Sequence, residues 1–153
     1  MPLVAVEVSQ FNGIEIQDYA VDVARVGMWI MDHLMNVEAQ KMFFTRGVFL
    51  RIPLHDGANI VSANALTINW NDVIAGEKLD YIMGNPPFLG ARNEDFTPQQ
   101  KQDLISIQPN LKRINSLDFV AGWYLKLDEI FQRNVAMKAA LVSVNSTVFE
   151  ALF

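Results

Sequence analysis

Four consecutive residues, Asn85-Pro86-Pro87-Phe88, carry the strongest chemical signal in the sequence. Two prolines in a row lock φ and remove two backbone donors, so the segment ends the apolar run Leu79–Met83 and cannot extend it as a central strand. A backbone fixed in this way aims its carbonyl oxygens in a set direction. Asn85 adds a side-chain acceptor, and Phe88 adds a flat face on which a base can stack. These groups suit gripping an amino group on a planar heterocycle; the plainer alternative is a rigid turn with a core aromatic. Two more polar residues follow short apolar runs. Glu15, within Phe11–Ile16, can accept hydrogen bonds from both vicinal hydroxyls of a ribose, or is simply a solvated acid at a strand end. Asn64, after Asn59–Ala63, offers an amide donor and acceptor to an adenine edge, or closes a turn.

The elements that position these residues alternate between short strand-like runs and amphipathic helices. After Phe11–Ile16, apolar residues recur every three or four positions from Ala20 through Val23, Gly27, Ile30 and Met31 to Leu34 and Met35, with Asp18 as the expected N-cap. Met42–Leu54 reads as an extended or hairpin segment. Thr97-Pro98-Gln99-Gln100 puts threonine at a cap, proline at the first helical position and glutamine three residues after the cap, a capping box. A longer helix is expected over Leu117–Arg133, with Phe119, Trp123, Leu127 and Ile130 on its apolar face, and Ala139–Val144 as a last buried strand. This order predicts an α/β fold with a mostly parallel sheet and flanking helices, read as one unit. In such sheets ligands bind beyond the carboxyl ends of the strands, where Glu15, Asn64 and Asn85 fall.

Composition sets the outer limits. The 153 residues are 51% apolar and 19% charged, which fits a globular domain and excludes a disordered or fibrous chain. The absence of cysteine excludes disulfides, thiolate metal sites and a cysteine nucleophile. No residue cluster has metal-ligand spacing, so no metal is expected. Apolar runs stay short of the roughly 18–20 residues that span a membrane, and Met1–Gln10 lacks the basic start of a signal peptide. A soluble cytoplasmic protein with no membrane partner is the expectation. The net charge of −5 argues against an unaided grip on nucleic acid. His33 is expected to be a structural histidine, and neither it nor His55 belongs to an acid–histidine–nucleophile arrangement.

Asn85-Pro86-Pro87-Phe88 resembles the (D/N)-P-P-(Y/F) motif of amino-group methyltransferases that use S-adenosylmethionine, notably DNA adenine-N6 methyltransferases. The likeness extends, in order, through Phe11–Ile16, Met28–His33, Asn59-Ile60-Val61, Asn64-Ala65-Leu66, Asn69-Trp70, Leu117–Tyr124 and Leu141–Ser146. These resemble successive segments of the methylase domain in bifunctional restriction–modification enzymes. The resemblance implies a partial Rossmann-like fold and methyl transfer to the N6 amino group of a flipped adenine in DNA. By the same resemblance Glu15 binds the cofactor's ribose hydroxyls, and Ile16 packs on its adenine. Asn64 contacts the adenine amino edge with Ala65 beside it, and Asp118 and Phe119 line the adenine pocket. Asn85 and the Pro86 carbonyl accept hydrogen bonds from the target amino group, Pro87 completes the rigid motif, and Phe88 stacks on the flipped base.

The sequence also departs from that pattern. The family's glycine-rich loop, D-P-x-x-G-x-G, accommodates the methionine part of the cofactor and precedes the segment matching Phe11–Ile16. Here the glycines stand singly, with no G-x-G anywhere. Gln17 stands where an acid is common. The 153 residues therefore read as an internal portion of a methyltransferase catalytic domain, without its first strand, which belongs between the strands ending at Glu15 and Met83. The expectation is that this portion alone binds S-adenosylmethionine weakly or not at all and does not methylate DNA. Double-stranded DNA would be engaged through other domains, and the strand edges left unpaired would favour self-association. Two rivals remain: an RNA or protein-amide methyltransferase, and a catalytically dead scaffold or gene remnant.

Overall fold

A computed structural model describes residues 6–43, 57–90, 96–111 and 117–143. The chain divides into two compact units, Met1–Asn64 and Ala65–Phe153, where the sequence reads as one. The physical reason lies in the sheets: the four described strands pair two by two, and each pair belongs to a different unit.

In the first unit, a 3-10 turn over Val8–Gln10 leads into β1 (Asn12–Glu15), followed by α1 (Asp18–Phe43) and β2 (Asn59–Ser62). β1 and β2 are parallel, in register from Asn12 opposite Asn59 to Glu15 opposite Ser62. Val21 of α1 is buried with Val8, Ala58 and Ile60, and Ala24 and Met28 pack against this cluster. The Arg25 guanidinium donates to the Ile60 carbonyl at 2.7 Å, fastening the helix to the strand. The Gln17 carbonyl accepts from the amides of Ala20 and Val21, so Gln17 and not Asp18 occupies the cap position. Asp18 begins the helix, where its charge favours the positive end of the helix dipole. α1 also runs further than its apolar pattern suggests, taking in Met42 and Phe43. Glu38, Ala39, Gln40, Lys41 and Met42 are all strong helix formers, and Lys41 pairs with Glu38 at 3.1 Å. The rest of the expected extended segment lies outside the described residues. His33 is exposed on α1 and so is not a buried structural histidine. Tyr19, Val23, Val26, Ile30 and Leu34 are also exposed, so α1 carries apolar residues beyond the face it packs.

The second unit contains α2 (Trp70–Val73), a 3-10 turn over Gly76–Lys78, β3 (Tyr81–Gly84), α3 (Pro98–Ile107), α4 (Ala121–Phe131) and β4 (Lys138–Leu141). β3 and β4 are parallel, Tyr81 opposite Lys138 and Gly84 opposite Leu141. Both ladders are therefore parallel, as the alternating pattern predicts. The capping box at α3 is formed: the Gln100 amide donates to Thr97 Oγ1 at 3.2 Å, and the Thr97 amide to Gln100 Oε1 at 2.9 Å. α4 starts at Ala121, not at Leu117, because the preceding residues are committed elsewhere. The Phe119 amide donates to the Leu89 carbonyl at 2.8 Å, and the Asp118 carbonyl takes the Ala121 amide in a tight turn.

Leu66, Phe96, Leu104 and Phe119 form one core cluster, and Leu127, Ile130 and Met137 a second with Trp70 packed against it. Gly122 lets α4 close on the first cluster: a Cβ there would sit 2.8 Å from Leu66 Cδ2 and 3.1 Å from the Leu104 and Ile107 side chains. Gly27, inside α1, has nothing within 4 Å of the same position. Gly122→Ala should therefore destabilise the protein by about 1–3 kcal/mol through overpacking. Gly27→Ala should stabilise α1 by up to about 1 kcal/mol through helix propensity. Urea titrations of both variants check the opposite signs.

Candidate functional site

The parallel register of β1 and β2 brings Glu15, Ile16 and Asn64 to the same carboxyl edge of one strand pair. The Ala63 amide donates to the Glu15 carbonyl at 2.9 Å, continuing the ladder past the strand ends. The Glu15 carboxylate is half-buried, and its Oε1 accepts the Gln17 amide at 2.9 Å. That bond holds the side chain back over the turn into α1. Beside it, Ser62 Oγ donates to Asp18 Oδ1, tying the end of β2 to the start of α1. Ile16 is 61% exposed, an apolar group held at a strand end where burial gives no reason for it.

The turn after Asn64 is fixed from inside the second unit. Leu66 is 1% exposed and plugs the first core cluster. The Trp70 indole N–H donates to the Ala65 carbonyl at 2.8 Å, and Lys126 Nζ donates to the Ile68 carbonyl at 3.2 Å. Asn69 caps α2 by accepting the Asn71 amide at 3.1 Å. Further along, Asn134 Nδ2 donates to the carbonyls of Gly76 and Leu79, at 2.9 and 2.8 Å, fixing the approach to β3.

The Asn85–Phe88 segment leaves β3 between two backbone anchors. The Val142 amide donates to the Gly84 carbonyl at 3.0 Å before it, and the Phe119 amide to the Leu89 carbonyl at 2.8 Å after it. Pro86 is buried, whereas Asn85 and Pro87 are exposed and the Phe88 ring is 45% exposed. Among the described residues, Asn85 makes no side-chain hydrogen bond, so its amide is available to a ligand. The second anchor brings Asp118 and Phe119 beside this segment; a Cβ on Gly90 would lie 3.4 Å from Asp118 Oδ1. The Phe119 ring is only 5% exposed, tilted against Phe96 at 5.4 Å and edge-on to Trp123 at 5.3 Å. It is a core ring whose backbone, not its face, meets the loop.

The match to a known family covers residues 3–150 and is to the model described as MmeI, DNA-methyltransferase domain. The chain belongs to this family. Its fold is accordingly a partial Rossmann-like α/β methyltransferase fold, 43% identical to the Type IIL restriction-modification enzyme MmeI, solved in complex with DNA, with a TM-score of 0.84 over 94% of the chain. It is also 35% identical, over 144 residues, to DNA methyltransferase A of Bacillus subtilis (strain 168). The chain spans 16% of that relative and 19% of the MmeI chain. No helix of the described residues is long and apolar enough to cross a membrane, and among them no group of acidic residues and histidines is arranged to hold a metal.

The sequence does not mark Trp70, Lys126 and Asn134 as the residues that fix these turns. The one available signal is chemical: a tryptophan ring drawn into a core needs a partner for its N–H. Asn134→Ala removes two part-buried hydrogen bonds and leaves two carbonyls to find water. It should destabilise the second unit by about 1–3 kcal/mol, read as a lower urea midpoint in tryptophan fluorescence.

Proposed function

We propose that this chain is the internal portion of a catalytic domain that transfers a methyl group from S-adenosylmethionine to the N6 amino group of adenine in double-stranded DNA, as part of restriction–modification. The observation that carries this reading is the Asn85–Phe88 segment. It is pinned by a backbone hydrogen bond on each side, yet its amide and aromatic ring stay open. Such a segment is stiff enough to aim a substrate and exposed enough to meet one.

The residues present fit the adenosine half of the cofactor. Glu15 commits one oxygen to the Gln17 amide and retains a second for ribose hydroxyls. Ile16 supplies an apolar face for the adenine ring, and Asn64 with Ala65 reads its edge. By the family's pattern Asp118 and Phe119 line the adenine pocket. No glycine pair is present for the methionine half. When bound, S-adenosylmethionine supplies an electrophilic methyl on a sulfonium.

The chain's own contribution is orientation and electrostatics. The exocyclic amine of adenine is a weak nucleophile because its lone pair is delocalised into the ring. Acceptors at Asn85 Oδ1 and the Pro86 carbonyl favour a pyramidal nitrogen, localise the lone pair and aim it. Phe88 stacks on the base and offsets part of the cost of flipping it from the duplex. With a net charge of −5, the module depends on other domains for its hold on DNA phosphates. Among the described residues β1 and β3 each pair with one strand only, which favours self-association of the isolated chain. The reading assigns the protein to the cytoplasm, with the DNA it modifies.

Two measurements test this function. Isothermal titration of the 153-residue chain with S-adenosylmethionine should give no low-micromolar binding; such affinity would overturn the internal-portion reading. Replacing the matched segment of DNA methyltransferase A with this chain should give an adenine-methylating chimera. Asn85→Ala in that chimera should lower the methylation rate by about 10²-fold, and an unchanged rate would overturn the role of the motif.

A further inference from the structure

Within the first unit, α1 packs on its strands through Val21, Ala24 and Met28. On its opposite side stand Tyr19, Val23, Val26, Ile30 and Leu34, each between 48% and 72% exposed. Steps of four, three, four and four residues hold these five within a stripe about 80° wide, and Val37 continues it. Single apolar residues on a surface need no explanation, but a stripe with this spacing is the seam that one helix offers another. Gly27 lies beside the middle of the stripe. A glycine inside a helix costs up to about 1 kcal/mol relative to alanine. Here a Cβ would meet nothing within 4 Å, so packing inside the unit gives no reason for the glycine. Close approach of a second backbone does.

The charges of α1 select the direction of approach. Asp18 lies in its first turn and Lys41 in its last. Antiparallel helices bring the acidic start of each to the basic end of the other and oppose their dipoles, whereas parallel helices set like charges together. The stripe is self-complementary in that direction. About a centre next to Gly27, Val26 falls opposite Ile30 of the second copy, Val23 opposite Leu34 and Tyr19 opposite Val37. We propose that the outer face of α1 docks a second copy of this chain, the two helices packing antiparallel and crossing at Gly27. The proposal stands apart from the methyl-transfer reading and uses a surface other than the strand edges.

Sedimentation of the 153-residue chain should show monomer at about 1 μM and mostly dimer at about 500 μM, as a small apolar interface allows. Ile30→Glu places a charge in the seam and should weaken association at least about tenfold, with an unchanged circular dichroism spectrum. Gly27→Leu has room in the monomer and should weaken it by about the same factor. The chain has no cysteine, so introduced thiols report the geometry. Tyr19→Cys mixed with Val37→Cys should crosslink under mild oxidation. Tyr19→Cys alone should not, because antiparallel pairing holds its two copies about 27 Å apart and a disulfide needs Cα atoms within about 7 Å. A chain that stays monomeric at the higher concentration would overturn the proposal. So would dimers indifferent to Ile30→Glu, which would assign association to the strand edges, or Tyr19→Cys crosslinking to itself in preference to Val37→Cys.

Discussion

Burial of the Leu66 side chain is the contact on which most of the second unit depends. Leu66 projects from the turn after Asn64 into a cluster with Phe96, Leu104 and Phe119, which come from the lead into α3, from α3 itself and from the turn into α4. Burying one leucine is worth roughly 1.5–3 kcal/mol, and here the same event fixes where three backbone segments meet. Gly122 is its counterpart, since any side chain there would collide with Leu66. Phe119 carries the effect onward. Its ring packs in the cluster while its amide holds the Leu89 carbonyl, so the loop bearing Asn85 is tied to the same core.

Much of this was readable in the residues, and the reasons differ from element to element. The α3 start was legible because capping is local: Thr97, Pro98 and Gln100 each act within one turn. The placement of Glu15, Asn64 and Asn85 at the carboxyl ends of parallel strands is legible because each ends or follows a short apolar run. The length of α1 was not legible, because the apolar period fades after Met35 while helix-forming residues continue to Phe43. The start of α4 was missed because a long-range bond, from Phe119 to Leu89, overrides the local pattern. Trp70 and Lys126 escaped for the same reason, as their partners lie in a turn that sequence spacing cannot place.

The residues singled out by their chemistry fall on different supports. Glu15 and Ile16 lie at the carboxyl edge of the β1–β2 pair. Asn85–Phe88 form a proline-stiffened loop anchored to the residue after β4 and to the turn into α4. Each support combines a parallel register with side chains that tie the following turn back to a core. Proline rigidity alone would leave the loop stiff but unaimed; the bonds at Gly84 and Leu89 give it a direction.

The parallel register of β1 and β2 also has a consequence for how the protein forms. Asn12 finds Asn59, and their side chains bond at 3.1 Å across a sequence separation of 47 residues. A two-residue hairpin closes almost as soon as it is made, but this pair cannot close until the whole crossover has been synthesised. At about 5–20 residues per second on the ribosome, β1 waits a few seconds for its neighbour. α1, built from contacts three and four residues apart, can be complete within that interval. Local contacts thus allow the helix to form before the strand pair closes, with Val21, Ala24 and Met28 on the face that packs with Ala58 and Ile60.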